Sequence, residues 1–369
     1  MRYVTFLCLA GLLAACRITP APGKTPAAPP VGVPFYLGTY DDPGVHDPGI
    51  YRFTLGPDGR LVNEGRSGEA RNPSFLAFSP DRQTLLAVEE LSDEPGSVVS
   101  FGVAADTLLL HNRRPSGGVA PCHVTVSADN WVAVANYSSG TVEMLQLMED
   151  GMLSQPTDVE DHHARGAETP HAHSSYFLQD GNQLLSADLG TDEIWHYRVD
   201  AASGELTEAS PATTAMAAGA GPRHLGLHPN GRWIYAINEL NSTVTQLEFD
   251  GRSLAVGETW STLPAGFTGD SFCADIHISA DGKYLYGSNR GHNSIAVFAI
   301  DAAGGLKLLE TEPVAGDWPR NFALSPDERF LLVANQRSKN ITTLRRSAET
   351  GLLDYVATAP APVPVCILF

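Results

Sequence analysis

Residues 222–240 read PRHLGLHPNGRWIYAINEL, and this stretch decides the fold. His224-Leu225-Gly226-Leu227-His228 reads as one short strand and Trp233-Ile234-Tyr235-Ala236-Ile237 as a second. Between them Pro229-Asn230-Gly231 is a turn signal, because Asn and Gly accept the positive φ of a tight reversal. The stretch is therefore a β-hairpin whose open ends lie away from the turn. Arg223 stands just before the first strand and Glu239 just after the second. The hairpin brings these opposite charges to one end, although sixteen positions separate them in the chain.

The pattern recurs. PSFLAFSPDRQTLLAVEE begins at Pro73, PCHVTVSADNWVAVANY at Pro121, AHSSYFLQDGNQLLSADL at Ala172, CADIHISADGKYLYGSNR at Cys273 and PRNFALSPDERFLLVANQ at Pro319. With the Pro222 copy, successive starts differ by 48, 51, 50, 51 and 46 residues. A further alternating pair follows each core hairpin, as at Thr243–Phe249. A period near fifty built on four strands predicts an all-β propeller of antiparallel blades. A β-sandwich would explain the short strands but not the fixed period. The 335 residues from Phe35 to Phe369 allow seven blades. Six are accounted for by the repeats. Phe35–Tyr40, Ile50–Leu55 and Pro364–Phe369 are strand-like, so the seventh blade is expected to be closed by the N- and C-terminal strands.

The first sixteen residues, MRYVTFLCLAGLLAAC, form a short apolar segment after a single basic residue, as in a secretory signal. Leu13-Ala14-Ala15-Cys16 resembles the bacterial lipobox, which implies cleavage before Cys16 and lipid attachment to it. Arg17, rather than Asp, resembles the pattern of lipoproteins sent to an outer membrane. Residues 17–34 are a Pro/Ala-rich tether that cannot bury a core. The expected organisation is thus 1–16 signal, 17–34 tether and 35–369 propeller. The protein would sit at the cell envelope, on the periplasmic face of the outer membrane if the host has one.

A net charge of −18 excludes a general nucleic-acid surface, which needs clustered Lys and Arg. A monomer is expected, with the membrane reached through the lipid. Cys122, Cys273 and Cys366 are an odd set at no metal-like spacing and read as free thiols.

Superposing the repeats places Ser74, Cys122, His173, Arg223, Ala274 and Arg320 before the first strand. After the second stand Glu90, Tyr137, Leu189, Glu239, Arg290 and Gln336. The first strand of a blade lines the channel, so these positions should ring one mouth of it. That mouth gains His173, Arg223 with Glu239, Arg290, and Arg320 with Gln336. As a site the Arg223–Glu239 pair is expected to be partly solvated and of little weight in folding; it is also readable as a structural ion pair tying the hairpin ends. His171 and His173, with His162 and His163, have the pairing of metal ligands. No carboxylate completes that set, so neither metal nor cofactor is assigned. His224 and His228 read as channel packing. Asn136, Asn238, Asn289 and Asn335 recur at one position and read as a structural device. No G-x-S-x-G motif appears, and Cys122 has no evident activating context.

At these residues a resemblance emerges. Gly221-Pro222-Arg223-His224, Asn238-Glu239-Leu240, Ser288-Asn289-Arg290, Trp318-Pro319-Arg320-Asn321-Phe322, Val333-Ala334-Asn335-Gln336 and the terminal Pro362-Val363-Pro364-Val365-Cys366 are similar to motifs of the seven-bladed propeller lactonase family. That family includes 6-phosphogluconolactonases and muconate-lactonising cyclases. The resemblance implies a lactone hydrolase of the 6-phosphogluconolactonase kind, opening a sugar lactone to the aldonic acid by water activation in an Arg/His/Glu channel mouth. It also implies a catalytic set of His173, Arg223, Glu239 and Arg290, matching the set reached from the hairpin ends. Arg320, Gln336, His171 and His224 are the expected substrate contacts. An export signal departs from a cytosolic phosphosugar substrate. A non-catalytic propeller holding an acidic ligand or partner protein, and a lactonising cyclase, are the alternatives, since each needs cations facing a carboxylate.

Overall fold

In the computed structural model, which describes residues 1, 3, 32–42, 48–178 and 181–369, the diagnostic hairpin consists of strands Pro222–Leu227 and Trp233–Asn238. Gly231 takes the positive φ of the reversal, 70°, and its N–H donates to His228 O at 3.0 Å. Strands Thr243–Phe249 and Leu254–Ser261 complete a four-stranded antiparallel sheet. Seven such sheets form the propeller. Blade 1 comprises residues 33–68 and 364–368; blades 2 to 7 comprise 76–119, 121–161, 172–215, 222–261, 272–313 and 319–360.

The ring closes as the sequence predicts. Pro364–Leu368 pairs with Val33–Thr39, placing Leu368 opposite Tyr36 and Cys366 opposite Gly38. Val33 and Pro34, counted with the tether, instead begin this strand and pair with Leu55 and Thr54. Apart from residues 1 and 3, the signal segment with Cys16 and the tether up to residue 31 lie outside the described residues.

Packing explains why the second strand of a blade is apolar throughout rather than alternating. Trp233–Asn238 and Phe330–Asn335 are buried along their whole length, because each sheet is covered on both faces by its neighbours. The core is accordingly divided into layers between blades. Trp233, Tyr235 and Ile237 of blade 5 pack on Ile276, Leu285 and Phe298 of blade 6. Phe35 and Phe53 of blade 1 pack on Phe330 and Leu332 of blade 7. Each such side chain contributes about 1.5–3 kcal/mol by leaving water. The recurring asparagines are fully buried and lace the blades: Asn238 Nδ2 donates to Thr243 and Thr245 Oγ1, and Asn289 Nδ2 to Thr262 O.

One detail of register positions the site. In six blades the pairing of the two innermost strands slips by one residue near the same end. The extra residues are Val365, Cys122, His173, Arg223, Ala274 with Asp275, and Arg320. A bulge of this kind turns a side chain out of the regular alternation. Of the positions superposed before the first strand, all but Ser74 are therefore bulge residues, re-aimed at the mouth.

Candidate active site

Arg223 sits on the blade 5 bulge, with Nε 2.9 Å from Glu239 Oε2 across the hairpin end. Arg290, at the end of the second strand of blade 6, puts Nη2 2.8 Å from the same oxygen. Both guanidiniums are also tied to backbone: Arg223 Nη1 donates to Ala274 O at 2.6 Å, and Arg290 Nη2 to Cys273 O at 2.9 Å. Their positions are thus set without a ligand. Only 2% of Arg223 and 5% of Arg290 is exposed, whereas 18% of the Glu239 side chain faces solvent. The expectation of a partly solvated pair fails on the cationic side, because neighbouring blades close over both arginines.

Burial pushes the Glu239 carboxyl up, but Arg290, Arg223 and Arg320 outweigh it and hold it below the ordinary range. Burial lowers Arg290 to about 10 against the pull of Glu239, which still leaves it charged at neutral pH. His173 is buried and lies edge-on to the rings of Tyr137 and His224. Burial and then Arg223 hold it well below the usual histidine range, so its imidazole is neutral. Cys122 Sγ lies 3.8 Å from His173 Nδ1, yet burial drives its thiol far up. That contact does not make a thiolate nucleophile.

A second cation–carboxylate pair completes the mouth. Arg320 lies 3.5 Å from Glu90 Oε2 and over the ring of Tyr40, whose hydroxyl donates to Glu90 at 2.8 Å. Glu90 and Gln336 line, with Tyr40, a cavity of about 590 Å³ beside it. Sequence reading passed over Glu90 and Tyr40 as site residues. Glu90 carried a signal, since it occupies the repeat position of Glu239. Tyr40 takes that position only once the closing strand sets the register of blade 1, with its N–H on Val363 O.

Two of the expected substrate contacts have partners within the protein. His224 is buried beneath the mouth with Nδ1 on Asp275 at 2.8 Å and Nε2 on Arg223 at 3.2 Å, so both ring nitrogens are engaged within the protein. His171 donates from Nδ1 to Tyr137 O and stacks on the Tyr137 ring. The remaining histidines of the suspected metal set separate: His162 pairs with Asp188 under Trp195, and His163 with Asp161. Among the described residues no three His, Cys, Asp or Glu side chains converge as a ligand set.

The seven-bladed propeller has clear counterparts among known proteins. Residues 34–369 match the family described as lactonase, 7-bladed beta-propeller, and the chain belongs to that family. It is similar to the 6-phosphogluconolactonase of Bacillus subtilis, at 34% identity over 90% of this chain and 97% of that one. A second relative, the 6-phosphogluconolactonase of Formosa agariphila, is 34% identical over 86% of this chain and 94% of its own. Among solved structures, the periplasmic gluconolactonase of Pseudomonas aeruginosa superposes with a TM-score of 0.85 at 31% identity, covering 91% of this chain and 98% of that one.

Proposed function

We propose that the protein is an exported lactone hydrolase that opens an unphosphorylated sugar lactone to its aldonic acid. The observation that carries this reading is the Glu239 carboxylate clamped between two buried arginines, with a neutral His173 nearby at the mouth. A lactone carbonyl against Arg223 and Arg290 would meet fixed cations where the tetrahedral oxyanion develops. Glu239, held ionised, is a weak base and serves to orient the arginines. His173 keeps its lone pair at neutral pH and takes the proton from the attacking water.

The charge balance of the mouth supports an unphosphorylated substrate. Arg223 and Arg290 already share Glu239, and Arg320 faces Glu90. A phosphate dianion needs charge-assisted bonds from cations it would first have to take from these carboxylates. The name of the Pseudomonas aeruginosa relative agrees with this choice, while that of the Bacillus subtilis relative makes the phosphorylated lactone the competitor. Titrating acid release from glucono-δ-lactone and from its 6-phosphate with purified protein tests the proposal. The expected result is a larger kcat/KM for the unphosphorylated lactone; a reversed preference moves the substrate class, and no opening of either ends the hydrolase reading. In the same assay the rate should stay flat as pH falls through 6.5, since a base whose folded pKa is depressed keeps its lone pair there. A loss centred at or above 6.5 that disappears in His173→Asn would show that His173 titrates in its ordinary range, whereas a native rate in His173→Asn would remove His173 as the base.

We further propose that Cys16 carries the lipid and that the propeller is held at the envelope; the name of the periplasmic relative supports that location. Cys16→Ser is expected to shift the protein from the membrane to the soluble fraction. An uncleaved, unmodified N-terminus in the native host, read by mass spectrometry, would refute the anchor.

A further inference from the structure

Asp275 lies on the blade 6 bulge, inside the channel and 3% exposed. Its carboxylate takes five hydrogen bonds. Oδ1 accepts from His224 Nδ1 at 2.8 Å and Ile276 N at 3.0 Å. Oδ2 accepts from His277 Nε2 at 3.1 Å, Asn321 Nδ2 at 2.5 Å and Phe322 N at 3.2 Å. Burial opposes ionisation here, but His277 and His224 overcome it and hold the group well below the carboxylate range.

An ionised carboxylate only accepts, so the His224 proton sits on Nδ1 and the Nε2 lone pair points away. Facing that lone pair at 3.2 Å is Arg223 Nη1, which only donates. Donor and acceptor are therefore matched from Asp275 through His224 to Arg223, whose guanidinium forms the ion pair with Glu239. We infer that Asp275 is a positioning residue: it sets the His224 tautomer and, through it, the alignment of Arg223 at the mouth. This rests on the reading of Arg223 as the oxyanion donor.

The competing role is a staple. Asp275 joins blades 5, 6 and 7, and Asn321 Oδ1 carries the network to Ile367 N of blade 1 at 2.7 Å. Asp275→Asn separates the two. The three donors around Oδ2 retain the amide oxygen there, so the NH₂ turns toward His224. Nδ1 must then accept, the proton moves to Nε2, and two N–H groups oppose each other at Arg223. A wrong tautomer behind a reacting group suppresses turnover rather than binding. On glucono-δ-lactone kcat should fall about 10–100-fold, below the ~10²–10³ of a donor removed outright. KM should stay within about twofold. His277→Ala takes a donor from the same carboxylate on the side away from Arg223 and should leave kcat within about twofold.

Imidazole ¹⁵N spectra should show His224 as the Nδ1–H tautomer in the native protein and Nε2–H in Asp275→Asn. An Nε2–H or imidazolium His224 in the native protein overturns the inference, as does unchanged kcat in Asp275→Asn once the tautomer has flipped. Equal losses of kcat in the asparagine and His277→Ala variants assign the staple role instead. Should Asp275→Asn not fold, the native spectrum together with His277→Ala decides. If the native protein opens no lactone, the proposed function fails, whereas the tautomer measurement stands independently.

Discussion

Arg223→Ala is expected to lower turnover of the sugar lactone about 10²–10³-fold, the loss typical of removing one preorganised oxyanion donor. Ala274 O, His224 and Glu239 hold this guanidinium in place before any ligand arrives, and alanine offers nothing to replace it. Stability falls as well, because Arg223 is almost wholly buried. Removing one member of a buried pair costs about 3–5 kcal/mol when the other is left alone. Here Glu239 keeps Arg290 at 2.8 Å and is partly exposed, so the loss should lie below that range. Glu239→Gln retains the shape but leaves Arg223 and Arg290 without their shared counter-charge, and should lower both turnover and melting temperature. Turnover at 25 °C on protein shown folded by circular dichroism separates site from strut. If a confirmed substrate is opened at the native rate by both variants, the cluster is a strut and the active site lies elsewhere.

The second large effect concerns Glu143, which the proposed reaction does not use. It lies in strand Thr141–Gln146 of blade 3, with its residue 0% exposed. Neither carboxyl oxygen has a hydrogen-bond partner among the described residues. Gly117, on the facing strand of blade 2, makes room for it: a Cβ there would meet Oε2 at 2.7 Å. Burial pushes its pKa up from 4.5 to about 8. A carboxyl raised in the folded state binds its proton more tightly there than in the unfolded chain. Its contribution is therefore fully present below about pH 4.5 and is lost as pH rises through about 8. At roughly 1.4 kcal/mol per unit the swing is on the order of several kcal/mol. Glu143→Gln has the same shape and does not titrate. Its melting temperature should match the native protein near pH 4.5 and exceed it by about 10 °C at pH 8.5, as ~2–4 °C per kcal/mol implies. Parallel pH profiles for the two proteins would show that this carboxyl is not buried in its charged form's disfavour.

The local character of a hairpin explains how much was legible beforehand. A turn joins Arg223 to Glu239 within one stretch of chain, and the fifty-residue period carries that geometry round the ring. Fold, blade number, the shared closing blade and the arginine–glutamate cluster all follow from these two facts. The asparagine positions were readable for the same reason, since a repeated residue at a repeated register meets the same neighbours.

Contacts between blades obey no such rule. Glu90 and Arg320 meet across the ring closure, and Tyr40 joins them only when Pro364–Leu368 pairs with Val33–Thr39. Burial is likewise a property of the assembled ring. Neighbouring blades bury Arg223 and Arg290 where an isolated hairpin would leave them wet, keep His173 neutral, and leave Glu143 with no hydrogen-bond partner among the described residues. Charge and repeat position were therefore determined by the amino-acid sequence itself. Which groups face water, and which nitrogen of His224 carries the proton, were decided by the tertiary structure, because desolvation and hydrogen-bond matching depend on residues from several blades arriving at one place.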